Sequence, residues 1–176
     1  MPRRLHPVRP ASLRLVALAS LVALAPTACT LEERTDRQPV PVSQSPRRQV
    51  ITPEGVARLP VFSHAIRSGN LIFLSGQLGA LPGVDPPQLV EGGIEAETRQ
   101  TFDNIMAVLA AAGATLEDLV KCTVFLADTD DYAAMNAVYI QYFPNDPPAR
   151  AALAATGLAL GALVEIDCIA AVPAGS

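Results

Sequence analysis

The sequence predicts an α+β domain over residues 49–176, a sheet with two helices on one of its faces. Three observations predict it. Two β-type runs flank the turn Ser68-Gly69-Asn70, and two later stretches carry apolar residues at helical spacing. Near the end, residues 164–171 alternate as a half-buried strand does.

Phe62–Arg67 and Leu71–Gly76 read as the arms of a hairpin. Gly79–Gly93, with four Gly and three Pro, reads as a loop. From Ile94 the pattern turns helical: Thr98, Phe102, Ile105, Met106, Leu109 and Ala112 recur on one side, Glu95 and Glu97 lie in the first turn, and Gly113 stands at the stop. Thr115 to Asp118 looks like the cap of a short turn. In the strand Val120–Leu126, the residues Val120, Cys122, Val124 and Leu126 are expected on one face.

A second helix is expected to open within Asp128–Asp131, to present Tyr132, Met135, Tyr139, Tyr142 and Phe143 on one side, and to stop at Pro144. Arg150–Thr156 is Ala-rich, which by propensity alone suits a helix. We read it as a strand, so that the order is ββαβαββ. With 5% aromatic residues and no Trp, the core is expected to rest on Ala, Val, Leu and Ile.

The first fifty residues read differently. Arg3, Arg4, Arg9 and Arg14 form a positive region before the uncharged apolar run Leu15–Ala25. That run suits a signal peptide and is well short of the ~20 residues a spanning helix needs. Pro26-Thr27-Ala28-Cys29 resembles a lipobox, with Pro26 where an aliphatic residue is usual. Residues 1–29 are thus expected to be an export signal ending in a lipidated Cys29, and the protein to reside in the cell envelope, periplasmic or at the cell surface. Cleavage nearby, a retained leader and a chance thiol are the alternatives. Under the lipid reading, Cys29→Ala moves the protein out of the membrane fraction; fatty-acid labelling that persists without Cys29 would defeat it. Residues 30–48, rich in Pro, Gln, Ser and Arg, read as a flexible tether.

Charge divides along the same line. Residues 1–50 hold eight basic and three acidic side chains, net +5, whereas residues 51–176 hold five basic and fourteen acidic, net −9. A domain with so few cations cannot neutralise many phosphates, which argues against nucleic acid as a partner. Cys122 and Cys168 fall in predicted strands with apolar neighbours. They read as small buried hydrophobes, or as a pair if the strands are adjacent and the compartment oxidising. His64, the one His of the domain, has no nearby carboxylate or Cys in the sequence pattern and is assigned to structure. No metal-binding or phosphate-binding motif is present.

Several motifs together carry a resemblance. Phe-Ser-His-Ala-Ile (62–66), Gly-Asn-Leu-Ile-Phe-Leu-Ser-Gly-Gln (69–77), Gly-Gly-Ile-Glu-Ala-Glu-Thr-Arg-Gln-Thr-Phe-Asp-Asn-Ile (92–105), Asn136 in Met-Asn-Ala-Val-Tyr, Pro-Ala-Arg (148–150) and Val-Glu-Ile-Asp-Cys-Ile-Ala (164–170) stand in one order and spacing. From about Val50 to Val172 the chain resembles the RidA (YjgF-type) family of enamine/imine deaminases. The resemblance implies a chorismate-mutase-like fold and a homotrimer with sites in the clefts between subunits. The expected reaction is cofactor-free, no metal is expected since no metal-binding motif is present, and a membrane link is expected only through the lipid anchor read at Cys29.

Carried over by residue, Arg150 matches the arginine that holds a substrate carboxylate and Glu165 the glutamate that positions the attacking water. Ser75 and Asn136 match pocket residues. Phe62 stands where characterised deaminases have Tyr. Ala152 replaces a Cys at a position where the backbone makes the contact.

The residues themselves also allow blander roles. Arg150 could be a cation snorkelling at a strand end, Glu165 a solvent-facing strand residue, Asn136 a cap for a loop backbone, and Ser75 a turn residue. The expected activity is hydrolysis of reactive 2-enamino or 2-imino acids to 2-oxo acids and ammonia. The alternative is a non-catalytic trimeric binder of small 2-oxo or 2-amino acids, or a periplasmic holdase.

Overall fold

The computed structural model describes residues 48–54 and 60–173. The expected signal with Cys29, and most of the tether, lie outside the described residues. Among those described, no helix is long and apolar enough to cross a membrane.

The elements run β1 (Gln49–Ile51), β2 (Ala65–Ser68), β3 (Leu71–Leu74), β4 (Gln77–Leu78), α1 (Gly93–Ala111), β5 (Leu119–Leu126), α2 (Tyr132–Tyr142), β6 (Ala149–Ala154) and β7 (Val164–Ala171). The strands form one sheet in the order β1-β2-β3-β7-β5-β6, with β4 also against β7. All pairings are antiparallel except β5 with β6. β1 and β4 extend the expected order, both too short to show a period in the sequence. The Ala-rich segment is strand β6, because parallel pairing to β5 overrides its helical propensity.

Both helices cover one face of the sheet, and a single core joins them to it through Ile72, Cys122, Val124, Val164 and Ile166. The side chains that alternate with these strand residues form the other, open face. Aliphatic residues fill the sheet side of the core as expected, but the few aromatics gather between the helices. Phe102 of α1 stacks on Tyr142 at 4.2 Å and meets Tyr139 and Phe143 edge-on. Such pairs add about 0.5–1.5 kcal/mol beyond the area they bury.

Three details depart from the expected strands. The first hairpin arm pairs only from Ala65, so Phe62 lies in the loop before β2. Second, Val120 is not on the core face. A bulge between Leu119 and Lys121 turns Leu119 inward and leaves Val120 47% exposed. Third, the second arm ends at Leu74, where a further bulge intervenes. Phe73 lies opposite Ile169 and Gln77 opposite Ile166, so the stretch through Ser75 and Gly76 carries one residue more than β7 does. Asn104 of α1 holds the far side of this bulge, its Nδ2 donating to the carbonyls of Leu78 and Ala80 at 2.9 and 2.8 Å.

Cys122 and Cys168 face each other across β5 and β7 with Cα atoms 4.1 Å apart, and they are joined as a disulfide. The bond lies within the core, both residues being buried. A cross-link over 46 residues of chain stabilises a domain by about 2–4 kcal/mol.

Candidate active site

Glu165 is central to the first group of site residues. On β7 its neighbours Val164 and Ile166 are buried in the core, so its side chain projects onto the open face. There it lies in a row with Leu78 on one side and Phe125 on the other. The bulge brings the backbone of Gly76 against its carboxylate, and a Cβ at Gly76 would overlap Oε1. Ser75 fixes this approach: its Oγ donates to the Ser63 carbonyl at 2.7 Å and its N–H to the His64 carbonyl at 3.0 Å. Those bonds also tether the loop that carries Phe62, whose ring meets His64 edge-on at 6.1 Å.

Burial among apolar neighbours, and then the charge of Asp167 two residues along the same face, push the Glu165 carboxyl above the usual carboxylate range. A raised value makes the carboxylate a stronger proton acceptor once ionised. Activity that needs the ionised form rises with pH as Glu165 loses its proton. Asp167→Asn removes the like charge and should therefore shift the acidic limb of the kcat/KM profile to lower pH. A limb that stays in place or moves higher would assign it to another group.

The second group is built around Arg150, on the edge strand β6. It pairs with Cys122, a core-facing residue, so its side chain emerges on the helix side of the sheet. Its guanidinium lies over the ring of Tyr139 at 4.4 Å, and its Nη2 donates to the Tyr132 hydroxyl at 3.0 Å. Stacking on an aromatic face suits a guanidinium and keeps its N–H groups at the ring edge, those not given to Tyr132 being available to bind. Asn136 falls between the two tyrosines at helical spacing and is half-buried. Ala152 lies two residues on from Arg150 along the same edge and is exposed.

The structure thus sets Ser75, through Gly76, beside Glu165 and ties the loop that carries Phe62 to Ser75, and separately places Asn136 on the helix under Arg150 with Ala152 along the same strand. It does not bring the two groups together within one chain. Arg150 and Glu165 project from opposite faces of the sheet, two strands and three residue positions apart, which puts their Cα atoms about 14 Å from each other at ordinary strand spacing.

A family model described as Endoribonuclease L-PSP matches residues 55–172. The chain belongs to this family, the RidA (YjgF-type) proteins. Its RidA domain is 43% identical over 124 residues to a goat (Capra hircus) protein named 2-iminobutanoate/2-iminopropanoate deaminase, the match covering 70% of this chain and 89% of the relative. Among solved structures it resembles RidA from the Antarctic bacterium Psychrobacter sp. PAMC 21119, with a TM-score of 0.64, 37% identity, and 70% of this chain and 99% of the other covered. It likewise resembles the TdcF protein of E. coli with bound serine, with a TM-score of 0.65, 26% identity, and 71% and 99% covered. The α+β architecture expected from the sequence is that of these relatives.

Tyr132, Tyr139 and Gly76 were not among the expected site residues. Gly76 left a signal, since a Gly at the end of an apolar strand run marks a bulge or a close approach. The two tyrosines read as helix-face residues, and only the pairing of β6 shows that Arg150 lies over them.

Proposed function

We propose that the protein is a hydrolytic deaminase of 2-imino acids, reached directly or through their 2-enamino tautomers, and that it works as a homotrimer. The observation that carries this reading is Glu165, a carboxylate in an apolar row, backed by a glycine and held above its usual pKa. Arg150 takes the substrate carboxylate on the two N–H groups of one guanidinium edge. Glu165 removes a proton from a water whose oxygen bonds to C2 of the imine, and the nitrogen takes up a proton. Collapse of the resulting carbinolamine breaks the C2–N bond and releases ammonia and the 2-oxo acid. An imine is already an electrophile, so the chemistry needs no cofactor. Positioning and one general base, worth about 10²–10⁴-fold, suffice.

The opposite-face placement of Arg150 and Glu165 supports the trimer, since a cleft between subunits can join what one chain separates. The goat relative's name supports the substrate class. The family description includes an endoribonuclease; the net charge of −9 over residues 51–176 argues against RNA as substrate.

The test is ammonia release by the full chain from 2-iminobutanoate generated in situ, with sedimentation run alongside. Accelerated release by a trimer is the expected result. Binding of 2-oxobutanoate without acceleration would favour the non-catalytic binder, and an active monomer would remove the composite site.

A further inference from the structure

Arg150 has more holding it than a substrate-binding arginine requires. The Tyr139 ring lies under the guanidinium, and the Tyr132 hydroxyl accepts a hydrogen bond from Nη2 at 3.0 Å. The two tyrosines differ in what their hydroxyls can do. Tyr139 is 3% exposed and its hydroxyl is buried without a hydrogen-bond partner, so it contributes a ring and nothing polar. Tyr132 is 44% exposed, at the first turn of α2, and its hydroxyl lies beside the guanidinium edge.

A phenol oxygen that accepts from an N–H keeps its own O–H to give. It cannot return that proton to Arg150, because a guanidinium has no acceptor. Accepting from a cation also makes the phenol a better donor, since linked hydrogen bonds polarise one another. An anion that settles on the guanidinium edge therefore meets the phenol O–H as well.

We propose that Tyr132 is a substrate-binding residue, its hydroxyl giving a further hydrogen bond to the carboxylate that Arg150 holds. This rests on the reading of Arg150 as the carboxylate group. It adds selectivity for a free carboxylate over its ester, and it holds the guanidinium in its binding rotamer before substrate arrives, which lowers the ordering penalty. The carboxylate is present from the ground state to the product, so the contribution falls on binding rather than on the chemical step.

The experiment compares the full-length chain with its Tyr132→Phe and Arg150→Ala variants. Calorimetry measures binding of 2-oxobutanoate and of its methyl ester, and steady-state ammonia release measures turnover of 2-iminobutanoate. Tyr132→Phe keeps the ring and loses only the hydroxyl. A hydrogen bond to a charged group is worth enough that its Kd for 2-oxobutanoate and its KM should both rise about tenfold. Its kcat should stay within about twofold, and its affinity for the ester, whose carbonyl is a weaker acceptor than a carboxylate, should fall by less than that for the acid. Tyr132→Phe binding 2-oxobutanoate as the parent does, while Arg150→Ala loses it, would overturn the role of Tyr132 alone. Equal weakening of acid and ester would show no preference of the hydroxyl for the carboxylate and overturn it too. Should Arg150→Ala bind 2-oxobutanoate unchanged, the carboxylate reading of Arg150 falls and Tyr132 falls with it.

Discussion

Glu165→Gln is expected to lower ammonia release from 2-imino acids by about 10²-fold or more, the range of a lost general base. The same change should leave 2-oxobutanoate affinity within a few-fold. Glutamine keeps the size and the hydrogen-bonding reach of the side chain but cannot take a proton from water. It also fits the site: the row between Leu78 and Phe125 with Gly76 behind it is shaped for a side chain of this length. The carboxylate's environment favours the neutral form, through burial first and Asp167 second, so a neutral amide meets no new penalty there. Loss of activity from unfolding would remove binding as well, which separates the two causes. Full ammonia release by Glu165→Gln would show that another group activates the water.

Much of this fold was legible because the elements obey simple periods. Thr98, Phe102, Ile105 and Leu109 of the α1 stripe are buried as their spacing predicts, Met106 only half so, and Val164, Ile166, Cys168 and Ala170 alternate inward along β7. What escaped were features set by partners rather than by local pattern. Val120 continues the alternation of β5, yet the bulge against β7 turns it outward. The strand expected at Arg150–Thr156 is present as Ala149–Ala154, but what holds it there against an Ala-rich, helix-suited composition is the parallel edge of β5. Cys122 and Cys168 are 46 residues apart, and only the register of β5 on β7 sets them opposite each other.

The site divides in the same way. Arg150 and Glu165 are legible from motifs that match a family. Their separation onto opposite faces is a property of the whole sheet. No spacing between positions 150 and 165 encodes it.

That separation makes a second strong prediction. Arg150→Ala should abolish 2-oxo-acid binding and ammonia release together, because the carboxylate is present in both ground and transition states. Arg150→Lys should recover only part of the binding, since an ammonium cannot supply two parallel N–H groups. If each site takes Arg150 from one subunit and Glu165 from its neighbour, the two inactive variants should complement each other. In trimers reassembled from equal amounts of Arg150→Ala and Glu165→Gln chains, a site is intact when both its contributors happen to be the right ones. For random mixing about a quarter of the sites are whole, so about a quarter of parental activity should return. Either variant reassembled alone should stay inactive. Sites built within single chains would predict no recovery at any mixing ratio, since every chain then carries a defect in its own site. Mixed trimers, verified by mass, that remain inactive would therefore place both residues of each site in the same subunit, against the opposite-face geometry of Arg150 and Glu165.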